Sequence, residues 1–261
     1  MKSFAILCAA VLVALPAAQA QAPLSCDHQN QNSYCEIREI TLASTGSVDI
    51  NTGGVGAIAV QGWDNPWVFV RAAVNTSADD SWQARQIALS VALDTSSNRI
   101  WASGPFGKSW AVAYQVFVPH ASALELNTRV GAVAISDVTG TIHFNVGVGA
   151  VALSGLAGEV EGKNGVGAIA ITLSGDHWDG KGVRVETGMG AIRINAPTDY
   201  SASFDLRTAM GAIETSFPGA RPTSAGFMGK KLALQAGTGG ASIYAATSMG
   251  EIDLKTLAPE H

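Results

Sequence analysis

Gly147-Val148-Gly149-Ala150-Val151-Ala152-Leu153 is one of seven variants of the same phrase along a chain of 261 residues. The others are Gly54-Val55-Gly56-Ala57-Ile58-Ala59-Val60, Val130-Gly131-Ala132-Val133-Ala134-Ile135 and Gly165-Val166-Gly167-Ala168-Ile169-Ala170-Ile171. They continue with Gly188-Met189-Gly190-Ala191-Ile192-Arg193-Ile194, Ala209-Met210-Gly211-Ala212-Ile213-Glu214-Thr215 and Ser248-Met249-Gly250-Glu251-Ile252-Asp253-Leu254. Seven copies exclude chance. The central glycines at 131, 149, 167, 190 and 211 are separated by 18, 18, 23 and 21 residues, within the range of stacked repeats. After the glycines, apolar and small residues alternate with period two, and a second alternating segment precedes them, as in Thr141 to Val146, Glu159 to Asn164, Val183 to Thr187 and Ser203 to Arg207. Both segments read as strands. The glycines read as corners, where positive φ or a bulge is needed.

The pattern predicts an all-β fold, a parallel β-solenoid of β-helix type with short rungs of 18–23 residues. A single rung cannot bury its apolar face, so its stability comes from its neighbours. Residues 67–128 break the period and are expected to form a β-meander or hairpin insert near the N-terminal end. Strands are expected near Trp67 to Val74, Ile87 to Leu93, Arg99 to Ser103 and Ala111 to Val118, with a short helix at Ala78 to Gln86. The insert is taken as part of one domain spanning 45–257, with a tail at 258–261.

Ahead of this body, Lys2 precedes an apolar run from Phe4 to Leu15, and Ala18-Gln19-Ala20 supplies small residues for cleavage, so 1–20 reads as a signal peptide. Lipidation at Cys8 is the rival reading, against which Leu7 stands where such signals carry a small residue. No later stretch approaches the roughly 20 apolar residues of a membrane helix, so the exported chain is expected to carry no transmembrane segment, in the periplasm, at the cell surface or secreted. In the segment 21–44, Cys26 and Cys35 form an even pair in an oxidising compartment, which predicts a disulfide. A zinc site there would have only these two and His28, where four ligands are the rule.

With 16 Lys+Arg against 21 Asp+Glu and no basic stripe, the chain is not expected to bind nucleic acid. The glycine phrases do not carry other chemistry. A calcium-binding nonapeptide repeat would place an aspartate where Ile58 stands, and a dinucleotide fingerprint would need a third glycine at Ala59 and a following helix. His28, His120, His143, His177 and His261 show no metal-ligand spacing, and no Gly-x-Ser-x-Gly elbow exists. No catalytic residue, metal site or cofactor is expected. The enzymatic alternative is a polysaccharide-active β-helix lyase or hydrolase, for which Glu159 and Glu161 share a strand face. Asp176-His177-Trp178-Asp179 reads as a solvated turn.

Two surfaces are candidates for binding. In the strand after each corner, Arg193, Glu214 and Asp253 replace Ala152, and Glu251 replaces Ala150, so the alanine side faces water. This predicts a flat, nearly uncharged face of Ala132, Ala134, Ala150, Ala152, Ala168, Ala170 and Ala191. The second is a hairpin tip bearing Trp101, Phe106 and Trp110, which could stack on a sugar or simply cap the core. Trp63 and Trp67 bracket the turn Asp64-Asn65-Pro66 and read as structural.

Gly46-Ser47-Val48-Asp49-Ile50, Gly62-Trp63-Asp64 before Val68-Phe69-Val70, and Tyr114-Gln115-Val116-Phe117-Val118-Pro119 leading into the tandem copies resemble the putative adhesin family of bacterial envelope proteins. The likeness covers residues 45–254. That family reads Gly-Asp-Ile where this chain has Gly-Ala-Ile or Gly-Ala-Val. The resemblance implies a solenoid-like fold and an exported location, and brings no catalytic residues. Together these readings predict a noncatalytic, adhesin-like binding or scaffolding module. Its partner would be an envelope or cell-surface protein, a polysaccharide, or a second copy of itself.

Overall fold

The computed structural model describes residues 24–26, 31–226 and 228–257. The expected signal peptide (1–20), His28 and the tail (258–261) lie outside them. The fold is all-β: two mixed sheets, of ten and eleven strands, neither closed into a barrel.

One repeat shows how the sequence builds both sheets. The strand Thr139–Val148 lies in the eleven-stranded sheet, with Ile142, Phe144 and Val146 buried. The chain turns at Gly149-Ala150 and enters the ten-stranded sheet as Val151–Ser154, burying Val151 and Leu153. A second turn at Gly155-Leu156 starts the next long strand, Ala157–Val166. Each strand pairs in parallel with its counterparts in neighbouring repeats: Val151 sits beside Val133 on one side and Ile169 on the other, and Leu153 beside Ile135 and Ile171. The inward rows of the two sheets therefore meet in one apolar core. Glycine within a strand fits the same packing, since a side chain at Gly162 would overlap the ring of Phe144 next to it.

The spatial order of repeats departs from the tandem order that the spacing predicts. Ser242–Met249 pairs with Gly182–Met189 on one side and Ala202–Met210 on the other, while Ile252–Leu257 lies between Ile192–Pro197 and Ile213–Thr215. The last copy is thus inserted between its two predecessors, and Gly190 stacks on Gly250 instead of Gly211. Beyond the displaced repeat, Gly229–Ala236 runs antiparallel to Ala202–Met210 and ends the eleven-stranded sheet together with Thr223–Ala225.

The insert does not form a meander of its own; its strands are divided between the sheets. Trp67–Ser77 pairs antiparallel with Ser109–Pro119 and with Ser33–Ala43, extending the ten-stranded sheet, while Arg99–Ser103 and Ala92–Asp94 extend the other. The expected strand over Ile87 to Leu93 is mostly helix: Ser81–Ser90 is helical, and only Ala92–Asp94 is strand. Asp80 caps the helix, its carboxylate accepting from Gln83 N–H at 2.8 Å, and Ala84, Ile87 and Ala88 share the buried face. The helix therefore begins three residues later than Ala78. Arg38 ties it to the edge strand by donating to the carbonyl oxygens of Ala88 and Val91.

Cys26 and Cys35 are joined by a disulfide, with Cα atoms 5.5 Å apart. A loop of this length contributes about 2–3 kcal/mol in the chain-entropy account.

Candidate binding surfaces

At each of the seven glycine phrases the chain bends between two glycines, or between a polar or small residue and a glycine, and the large residue between them turns outward. Val55, Val130, Val148, Val166, Met189, Met249 and Met210 stand in one line by register and remain between 38% and 49% exposed. With strands about 4.8 Å apart, the six steps between these seven residues make an apolar ridge about 30 Å long. Beside it lies the alanine face. Ala132, Ala150, Ala152, Ala168 and Ala191 are exposed, and Ala134 and Ala170 are half-buried. Along the row, Ala134, Ala152 and Ala170 give way to Arg193, Asp253 and Glu214. The alanines stand on the water-facing side that their charged replacements indicate, whereas the alternation pattern gives no sign of the ridge, although its residues stand inside the quoted phrases.

Behind the ridge, an inward row carries polar side chains. Thr128, Asn164, Thr187, Thr247 and Thr208 donate to the carbonyl oxygens of Gly56, Gly149, Gly167, Gly190 and Gly250, at 2.9–3.3 Å. Each corner carbonyl would otherwise lack a side-chain partner close to the core, so a polar residue at an inward position stabilises the bend.

The charged end of the alanine row places Glu214, Glu251 and Asp253 together, with a carboxylate oxygen of each within 4.8 Å of the others. Repulsion from Asp253, and next from Glu214, raises the Glu251 pKa above its ordinary value of 4.5. Folded protein therefore holds this proton more tightly than unfolded chain, and the associated stability is lost as pH rises through the raised pKa. Glu251→Gln is expected to raise the melting temperature at pH 7, with the gain shrinking to nothing near about pH 3.5, where wild-type Glu251 is protonated in both states. A gain that does not change with pH would contradict this origin.

The expected aromatic tip is not a single tip. Phe106 is fully exposed in its turn, whereas Trp110 is half-buried against Gly53 and Gly104 and donates to the Pro105 carbonyl at 3.3 Å. Trp101 stands on the outer face of the eleven-stranded sheet, beside Asn51, under the Arg99 guanidinium at 3.9 Å from its ring centroid. Trp63 and Trp67 belong to an aromatic group with Phe69 and Phe117, ring centroids 5.3–6.3 Å apart, and Trp63 donates to the Trp67 carbonyl.

Of the carboxylates considered for polysaccharide chemistry, Glu159 is ion-paired with Lys181 at 2.7 Å, and Glu161 lies between His143 and Arg184 by register. The turn at Asp176 to Asp179 is less solvated than its composition suggests. Trp178 is buried and donates to the Gly158 carbonyl, while Asp176 and His177 pair at 2.6 Å in the open.

These features define an all-β protein of two mixed sheets with an apolar ridge along one corner. No protein-family model matches the chain. No curated protein matches it either. Among solved structures, it is similar to a putative cell adhesion protein from Clostridium sporogenes, at 14% identity and a TM-score of 0.42, covering 87% of this chain and 100% of that one. It is also similar to a putative adhesin from Bacteroides fragilis (12% identity, 86% and 97% covered, TM-score 0.36). A third is a putative lipid binding protein from Parabacteroides distasonis (9% identity, 87% and 98% covered, TM-score 0.26).

Proposed function

We propose that this chain is a noncatalytic binding or scaffolding module exported to the cell envelope, built over residues 45–257 as one short β-solenoid capped by its insert. The solenoid reading is supported by the parallel alignment of Val133, Val151, Ile169, Ile192, Ile252 and Ile213 across six neighbouring strands. Export is supported by the Cys26–Cys35 disulfide, a bond that persists in oxidising compartments.

The observation that carries the binding role is the Val/Met ridge and the alanine rows beside it. Seven large apolar side chains in unbroken line, half in water, are costly unless a partner covers them, and contiguous apolar surface of a few hundred Å² marks association sites. The small alanines let such a partner approach the sheet closely. Either an envelope component or a second copy would fit.

The test uses Val148→Glu with Val166→Glu, two exposed positions at the middle of the ridge. Wild-type protein is expected to self-associate in sedimentation equilibrium or to co-sediment with envelope fragments, and the double variant to do neither at an unchanged melting temperature. A wild-type protein that stays monomeric and in the supernatant would overturn the reading, as would a double variant that behaves like wild type.

A further inference from the structure

We propose that the outer face of the eleven-stranded sheet, near its insert end, binds an extended acidic oligosaccharide. An open cleft of about 610 Å³ lies there, lined among others by Trp101, Asn51, Asn127, Asn145, Arg129 and Ser103. Its size suits a few sugar units. The assignment is independent of the ridge, which lies on the adjoining corner.

The row that floors the cleft is set by strand register. Trp101 pairs with Asn51, Asn51 with Asn127, Asn127 with Asn145, and Asn145 with Lys163. Three asparagine amides thus follow one another at the strand spacing of about 4.8 Å. One pyranose unit advances an extended glycan by about the same step. Each amide offers a donor pair and an acceptor, the complement of vicinal hydroxyls. Asn51 uses its carbonyl oxygen on Gly53 N–H at 2.8 Å, and Asn127 donates to Glu125 at 3.3 Å, while the exposed Asn145 amide has no hydrogen-bond partner among the described residues.

At the insert end of the amide row, the Trp101 ring is held under the Arg99 guanidinium, 3.9 Å from its centroid, and stays partly open to solvent. Aromatic walls with a few placed polar groups are the usual make-up of a sugar site.

Charge selects the class of sugar. Arg129 and Lys163 are exposed and belong to no ion pair among the described residues, whereas Glu186, next along the row, is held by Arg184 at 2.6 Å. Two uncommitted cations beside an amide row favour carboxylates carried on the glycan, with Arg129 able to take one in bidentate fashion. A chain of net charge −5, with Arg129 lining the cleft and Lys163 one strand beyond it, does not suit a polynucleotide.

The experiment is isothermal titration with three uronate probes and one neutral control: tetra-β-1,4-mannuronate, tetragalacturonate, a hyaluronan tetrasaccharide, and β-1,4-mannotetraose. At least one uronate is expected to bind, at least tenfold more tightly than mannotetraose. Asn145→Ala and Arg129→Gln, both exposed positions, are each expected to weaken it at least tenfold with the melting temperature unchanged. Absence of binding by all three uronates overturns the proposal. So does equal binding of the neutral tetrasaccharide, or affinity that neither substitution changes.

Discussion

Deleting residues 242–257 is expected to abolish cooperative folding of the C-terminal half of the protein. In a linear array, losing the last repeat removes that repeat and one interface. Here the last repeat is an interior one: Ser242–Met249 and Ile252–Leu257 each pair on both sides, and Ile243, Ala245, Ile252 and Leu254 are fully buried. Its removal opens a slot about two strand spacings wide, roughly 10 Å, between Gly182–Met189 and Ala202–Met210. Backbone donors and acceptors on both walls lose their partners, and two apolar interfaces are lost together. Domain stabilities are about 5–15 kcal/mol, and losing two complete interfaces consumes most or all of that. Urea unfolding followed by circular dichroism should show a lost or strongly broadened transition. A synthetic peptide of residues 242–257 should restore it by filling the slot. A truncated chain with the wild-type urea midpoint would mean that this repeat lies at the end of the stack.

The repeats themselves were plain in the sequence because each copy joins a glycine corner to a period-two strand, and those two signals have separate physical causes. Their order was not. Val151, Ile169, Ile192 and Ile252 offer nearly the same branched surface, so any rung can sit beside any other, and no residue within 242–257 marks it for the interior. The ridge was missed for a different reason. Alternation through Ile142, Phe144 and Val146 carries Val148 inward on paper, but the chain bends at the flanking glycines and turns it out. The same bend explains why Asn164 and Thr187 occupy inward positions that a hydrophobic pattern assigns to apolar residues: a corner carbonyl waits there. Around Ile87, an apolar run read as strand is part of a helix because Asp80 caps it and Ala84 and Ala88 supply the matching face. The alanine side was readable because Arg193, Glu214 and Asp253 replace its residues in later copies, and charge marks the side that faces water. The asparagine row beside Trp101 was not, since Asn51, Asn127 and Asn145 come together only through the pairing of three strands, one of them far from the others in the chain.

Gly167→Ala is expected to cost about 3–5 kcal/mol. Gly167 has φ near +135°, outside the range that side-chain-bearing residues adopt readily. A Cβ there would also overlap the carbonyl oxygen of Gly149 in the neighbouring repeat. That oxygen cannot move aside easily, because it accepts the Asn164 amide at 2.9 Å, and the Gly149 N–H is itself bonded to the Val166 carbonyl at 2.9 Å. Relief would require the two repeats to separate at the corner, weakening the contacts of Val151 and Ile169 behind it. Gly54→Ala separates the two causes: Gly54 has φ near +151°, as closed to a side chain as that of Gly167, but a Cβ there meets nothing within 4 Å. Its cost should be only that of the backbone conformation, about 1–3 kcal/mol. Urea midpoints of the two variants decide between the causes. If Gly167→Ala is no worse than Gly54→Ala, backbone conformation alone explains the corner glycines, and the close stacking of carbonyl on glycine from repeat to repeat is not what holds the corner together.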